Sequence, residues 1–225
     1  MNTGCLMKNG YHKILRSFKR SMKIYTKTGD KGTSATYTGE RRPKDDQIFN
    51  ALGATDELSS HIGLAREHCS SRCADLTERL KIIQCILQDV GSSIATPKSS
   101  AKDRHLKKTE FKKEPVENLE KWIDEYMETV PPLKSFILPS GGLASCHLHI
   151  ARSVCRRAER EIVPLVANGE METEPAVFVN RLSDFLFAAA RYCSYKDGVP
   201  EAIYKRTTGE IDHRLTRSST SSKEN

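Results

Sequence analysis

The residues best suited to chemistry stand in one short run near the start of the chain, Thr28-Gly29-Asp30-Lys31-Gly32-Thr33-Ser34. Glycines let backbone N–H groups converge, hydroxyls add donors, and Lys27 and Lys31 add positive charge, so the run has the makings of an anion cradle. Lys44 follows before the first helix. The run is not a Walker A loop, because GxxxxGK[ST] is absent, and it is not a dinucleotide fingerprint. A Gly-rich surface turn has the same composition, so the run alone leaves both readings open.

Three other places stand out. Arg152, Arg156, Glu159 and Arg160 recur at steps of three and four, which lines them along one side of a helix, with Arg157 beside them. Such a row is usually a solvated face. The planar donor fork of arginine also suits a polyphosphate, and the row then faces a subunit seam. Asn180 and Asp184 lie four apart on a mostly apolar helix. They form either an internal polar pair or a ligand contact with an arginine held in place. Phe136, Ile137 and Leu138 sit in a Pro/Gly-framed connection, Pro131 to Gly142, and form either a pocket wall or a lid over the bundle end.

The elements that position these residues read as helices. Asp45–Cys69, Leu76–Ala95, Pro115–Val130, Ser145–Val166 and Glu174–Lys196 each carry apolar residues at helical spacing. Asp45 and Asp46 favour a helix start through the dipole, and Pro115 suits a first turn. Asn168-Gly169 marks an end. The last segment is apolar on most sides and is expected to be the central, buried helix. Five long helices with almost no strand predict an all-α, five-helix bundle, entered through the Gly/Thr/Lys-rich loop. Lys23–Lys27 reads as a short strand. Pro97–Glu114, crowded with lysine, reads as an exposed loop between two helices.

Composition narrows the classes. The chain has 225 residues, 37% hydrophobic and 29% charged, which fits a globular domain with a sizeable core. No stretch has the ~18 consecutive apolar residues of a membrane helix. The net charge of +7 comes from residues 1–29, which hold seven Lys and Arg and no acid. The other 29 basic residues are balanced by all 29 acidic ones. The folded body is therefore neutral overall, which argues against a nucleic-acid footprint. Residues 1–22 are basic, acid-free and amphipathic, like a mitochondrial transit peptide; a plain basic arm is the other reading. Residues 23–206 form the domain, and 207–225 are expected to be a disordered polar tail. Seven scattered cysteines without a secretory signal point to buried thiols rather than a disulfide framework. Cys69 and Cys73 lack a second zinc pair, and His147 with His149 lacks a third ligand.

Six motifs occur in order: TKTGDKGTS, TGERRPKDD, ALGATDELSSHIGLAR, FILPSGG, RSVCRRAER and NRLSDFLF. Together they resemble the PduO-type ATP:corrinoid adenosyltransferases, the family that includes the mitochondrial cobalamin adenosyltransferase. The resemblance runs from about Lys23 to Arg206. It implies a homotrimer of five-helix bundles with active sites between subunits. It implies transfer of the 5′-deoxyadenosyl group from Mg-ATP to cob(I)alamin, itself formed from cob(II)alamin, with release of triphosphate.

By motif, the resemblance assigns Thr26, Thr28, Gly29, Asp30, Lys31, Gly32, Ser34 and Lys44 to ATP, joined by Arg156 and Asn180. It makes Arg152 the arginine that pairs across the seam, with Asp56 as its acid. Arg157 and Glu159 support that wall, Asp184 holds an arginine, and Phe136 is the aromatic beneath the corrin ring. No protein side chain is expected to bind metal; magnesium rides on the ATP phosphates. The expected site of action is the mitochondrial matrix, with the cytoplasm as alternative. A reductase and a cobalamin-dependent mutase are the expected partners, and neither nucleic acid nor membrane. A non-catalytic corrinoid carrier, an ATP-dependent phosphotransferase and a purely structural bundle are the competing readings.

Overall fold

The computed structural model describes Tyr25 and residues 27–206. The leader, the tail and the candidate Thr26 lie outside the described residues, as do Lys23 and Ile24. Tyr25 and Lys27 carry no strand. The strands fall later, β1 at Thr33–Ala35 and β2 at Arg41–Pro43, paired antiparallel with Ser34 opposite Arg42. Gly39, at φ 88°, turns the hairpin, and the Tyr37 N–H donates to Ala95 O at 2.8 Å. That bond ties the hairpin to the end of a helix.

Five long helices follow: α1 Gln47–Glu67, α2 Ala74–Ile94, α4 Glu114–Thr129, α5 Leu143–Ala167 and α6 Glu174–Asp197. Between α2 and α4 lies a short α3, Asp103–Lys108. Asp46 caps α1, its Oδ1 accepting from the Ile48 N–H at 2.9 Å, so the helix starts two residues later than its acidic residues suggested. A 3₁₀ turn, Ser71–Cys73, joins α1 to α2. At the end of α5, Gly169 takes φ 72°, and the N–H groups of Gly169 and Glu170 return to Val166 O and Leu165 O. Those bonds satisfy orphan carbonyls of the last turn.

The expectation of a plain loop over 97–114 is corrected. It holds α3, and Phe111 packs on Phe178 with ring centroids 5.6 Å apart. The segment is also held by Lys98 N–H donating to Glu170 O at 2.9 Å, by the Lys98–Glu172 ion pair and by Ser99 on Glu170.

The packing runs α2 on α1, α1 on α5, α5 on α6 and α6 on α4. Leu58 and Ile62, Leu80, Ile83 and Leu87, Leu148 and Ile162, and Phe178 and Phe185 meet in one core. Fourteen of the 24 residues of α6 are buried, in keeping with its place at the centre. Helices α1 and α5 run antiparallel. Gln47 Nε2 donates to Glu161 O at 2.7 Å at one end, and His68 stacks on His147 at 4.9 Å at the other.

At that second end, the 131–142 connection is laced to the chain beyond α6. Leu138 N–H donates to Ala202 O and Tyr204 N–H to Phe136 O, both at 2.8 Å, around a bridge between Ile137 and Ile203. The buried Arg191 donates to Pro131 O at 2.8 Å and meets Glu201 at 3.3 Å, which pins both segments to α6. Gly141 sits at φ 89° where a Cβ would lie 2.6 Å from the Ser194 side chain.

This close approach yields a prediction. Gly141→Ala combines left-handed strain of about 1–3 kcal/mol with a clash. Gly169→Ala carries only the strain, since nothing lies within 4 Å of its added Cβ. Urea unfolding should show a clearly larger midpoint loss for Gly141→Ala; equal losses would remove the clash from the account.

Candidate active site

The Gly-rich run is a turn that closes on itself. Gly32 N–H donates to Gly29 O at 3.2 Å, and Lys44 N–H donates to Gly32 O at 2.9 Å. The Lys44 side chain lies across Gly29, its Nζ 3.3 Å from where a Cβ would stand, so a larger residue would crowd that lysine. Gly32 needs its glycine, at φ 75°. Lys27, Lys31 and Lys44 are exposed along the same turn, with Asp30 between them.

One arginine of β2 holds the turn and its neighbour braces the far side of the strand, and sequence reasoning assigned neither a role. Arg41 Nη2 donates to Thr28 O and Thr33 Oγ1, each at 2.6 Å. Arg42, on the other side of the strand, pairs with Glu40 at 3.0 Å and Asp46 at 3.6 Å and reaches Ser99 Oγ. Its hydrogen bond holds the Glu40 carboxyl below the usual carboxylate range. The alternation of a strand, which sends neighbouring residues to opposite faces, was the signal available for this division of labour.

The arginine row lies on the outer face of α5. Its inner face, Ala151, Val154, Cys155, Ala158 and Ile162, is buried. Arg157 pairs closely with Glu57 of α1. Arg156 is exposed and has no ion-pair partner among the described residues. Asn180 Nδ2 donates to Glu159 Oε1 at 2.8 Å, which brings α6 to the edge of the row. Cys155, buried behind it, donates to Val179 O at 3.2 Å, and burial pushes its thiol well up.

Asn180 and Asp184 are exposed, which excludes the alternative of an internal polar pair. The helix is apolar on average, but its 100° step per residue leaves one narrow strip to water, and both residues fall on it. Asp184 accepts from Arg181 Nη1 at 3.1 Å, while Arg181 also reaches Glu120 of α4. Asp184 shares a depression of about 280 Å³ with Arg152, Ile123, Met127, Phe187 and Ala188. The guanidinium of Arg152 stands 5.6 Å over the Phe187 ring, a contact the spacing did not reveal. His149 meets the same ring at 6.1 Å. Burial, and then the Arg152 charge, keeps His149 below the usual imidazole range. Asp56 is exposed, and its carboxylate meets no cation among the described residues.

Phe136 is 81% exposed on the 131–142 connection. Below that connection lies a cavity of about 670 Å³, walled by Leu133, Ile137, Tyr195, Val199 and Ile203 and by the buried Arg191. One chain therefore carries three features: the lysine turn, the arginine row with its depression, and the exposed Phe136 loop, whose Pro139 shares a pocket with Arg157 and Arg160. Among the described residues, no group of His, Cys, Asp and Glu is arranged to hold a metal ion.

Comparison with known proteins fits this geometry. The sequence profile of the cobalamin adenosyltransferases matches residues 24–193. The mouse corrinoid adenosyltransferase MMAB is 60% identical over 184 residues, covering 82% of this chain and 78% of that protein. The human MMAB is 59% identical over 187 residues, covering 83% and 75%. A solved phenylalanine-to-alanine variant of the PduO-type ATP:corrinoid adenosyltransferase from Lactobacillus reuteri, complexed with cobalamin and ATP, superposes with a TM-score of 0.76 at 39% identity. It spans 82% of this chain and all of that one. With the profile covering most of the domain and relatives this similar along it, the chain belongs to the cobalamin adenosyltransferase family.

Proposed function

We propose that this chain transfers the 5′-deoxyadenosyl group from ATP to cob(I)alamin, releasing triphosphate and giving adenosylcobalamin, at sites shared between the subunits of a homotrimer. One observation carries the reading: groups suited to these ligands stand exposed and unspent on a single chain. Arg156 and Asp56 meet no opposite charge among the described residues, and Phe136 is 81% exposed, whereas Arg157, Arg181 and Arg42 are all in ion pairs. Relatives named as corrinoid adenosyltransferases, and a solved relative holding cobalamin and ATP, support the assignment.

In this reading Thr26, Thr28, Gly29, Asp30, Lys31, Gly32 and Ser34 wrap the triphosphate with Lys44. Arg156 and Asn180 of a neighbouring copy reach the nucleotide. Arg152 pairs across the seam with Asp56, Arg157 and Glu159 stiffen that wall, and Asp184 restrains Arg181. Magnesium enters with ATP on its phosphates.

The chemistry follows from charge and position. Cob(I)alamin is a strong nucleophile, so no general base is needed. Attack at C5′ must be in line with the leaving triphosphate, and holding that geometry is the protein's first contribution. Lysine ammonium groups, turn N–H groups and Arg156 neutralise the charge that accumulates on the leaving group. Phe136 supplies an apolar wall at the lower corrin face. It excludes an axial donor, leaving a four-coordinate cobalt that is easier to reduce.

The acid-free leader supports the mitochondrial matrix as the place of action, where a reductase and a cobalamin-dependent mutase would be the partners. Incubation with ATP, magnesium and chemically reduced cobalamin tests the reaction. Triphosphate with adenosylcobalamin supports it; ADP points to a phosphotransferase, and binding without turnover to a carrier.

Arg156→Ala removes a charge-assisted contact worth about 1.5–3 kcal/mol, so ATP affinity by calorimetry should fall about 10- to 150-fold. Unchanged affinity would remove Arg156 from the site. Phe136→Ala should leave ATP affinity nearly intact while cutting turnover from cob(II)alamin. Spectra in which the variant still shows abundant four-coordinate cobalt would contradict the role given to the ring.

A further inference from the structure

A cluster of three thiols, none of them assigned a role above, has no part in that chemistry. Cys69 follows α1, Cys73 ends the 3₁₀ turn before α2, and Cys193 lies in the last turns of α6. Cys193 Sγ is 3.7 Å from Cys73 Sγ and 4.0 Å from Cys69 Sγ, across 120 and 124 residues of sequence. Cys73 and Cys193 are fully buried, and Cys69 is half-buried, at the rim of the cluster. All three are free thiols. Beside them Ser70 donates to Asp197, so the turn and the end of α6 are already held together.

We propose that Cys69, Cys73 and Cys193 form an oxidation site, in which hydrogen peroxide joins Cys69 to Cys193 as a disulfide and Cys73 stands ready to take over the bridge. The geometry supports each step. Only Cys69 of the three opens toward water, so the oxidant meets it first. Its thiolate attacks the peroxide, the O–O bond breaks, and Cys69 becomes a sulfenic acid while hydroxide leaves. Cys193 then attacks the Cys69 sulfur. The S–S bond forms, the S–O bond breaks, and the displaced hydroxide leaves as water with the Cys193 proton. Two thiols and one peroxide thus give one disulfide and two waters.

Cys73 can attack the Cys193 sulfur in turn, moving the bridge inward and returning Cys69 to its thiolate. A disulfide needs sulfurs at about 2.05 Å, a gap of the size side-chain rotation closes from 3.7–4.0 Å. Hydrogen bonding among the three thiols draws Cys69 and Cys73 below the ordinary thiol range and pushes Cys193 up. The attacking thiolate is the rim cysteine because it alone of the three meets solvent. Exposed Cys85 and half-buried Cys146 have no sulfur partner among the described residues and serve as internal controls.

The test uses the full folded chain without nucleotide or corrinoid, so it stands apart from the adenosyl-transfer reading. The protein is treated with hydrogen peroxide, quenched, alkylated after denaturation, digested and analysed by mass spectrometry. The expected result is loss of two thiols per chain, a cross-linked peptide joining Cys193 to Cys69 or Cys73, and reversal by dithiothreitol. The melting temperature should rise on oxidation and fall back on reduction, because the bridge closes a long loop. Cys193→Ala should abolish the cross-link and leave a Cys69 sulfenic acid that dimedone traps. Cys69→Ser with Cys73→Ser gives an independent reading, since Cys193 then has no partner and its thiol should persist. The proposal is overturned if Cys85 or Cys146 oxidises while the three stay alkylatable. A bridge between Cys69 and Cys73 that leaves Cys193 free overturns it equally.

Discussion

The structure depends on burying α6. A helix with Phe178, Val179, Leu182, Phe185 and Leu186 within nine residues cannot face water, and it is covered by α5 on one side and α4 on the other. A fully buried side chain of this size contributes about 1.5–3 kcal/mol, so the run fixes the arrangement before any polar contact counts. With α5 pressed against α6 by its apolar face, its arginines have nowhere to go but outward. The arginine row is thus a by-product of core packing. The same logic leaves Asn180 and Asp184 on the only wet strip of α6.

Much of this was legible in the sequence. The five long helices came from apolar spacing, and Gly169 and Pro115 marked an end and a start. What failed did so for physical reasons. The polarity of 97–114 hid α3, because the stretch is held by long-range contacts, Phe111 on Phe178 and Lys98 on Glu172, that composition does not show. For Asn180 and Asp184 the sequence left two readings open, because average hydrophobicity carries no direction around a helix axis. The resemblance assigned Asp56 to Arg152 across a subunit seam; within the chain the adjacent Glu57 pairs with Arg157, a contact the spacing did not reveal. One helical residue is a 100° rotation, so neighbours face different elements. The thiol cluster joins positions more than a hundred residues apart, beyond any local pattern.

The ion pairs also sort the charged groups by purpose. Arg42, Arg157 and Arg181 are each tied to acids of other turns or helices, and they brace the hairpin, α1 against α5, and α6 against α4. Arg41 spends its guanidinium on carbonyl and hydroxyl oxygens of the Gly-rich turn, setting its curvature. The lysines of that turn and Arg156 are left unneutralised by these braces. A chain that tolerates such uncompensated charge near a surface favours whatever anion brings the balance to it.

The strap formed by Pro200–Tyr204 touches the bundle mainly through Arg191, Ser140 and the backbone of the Phe136 connection. It adds few side chains to the buried core, yet its Glu201 supplies the carboxylate that meets the buried Arg191. A premature stop codon shortly after Gly198 would therefore strand a buried guanidinium and destabilise the bundle, and the aromatic loop would at the same time lose the backbone partners that fix its direction.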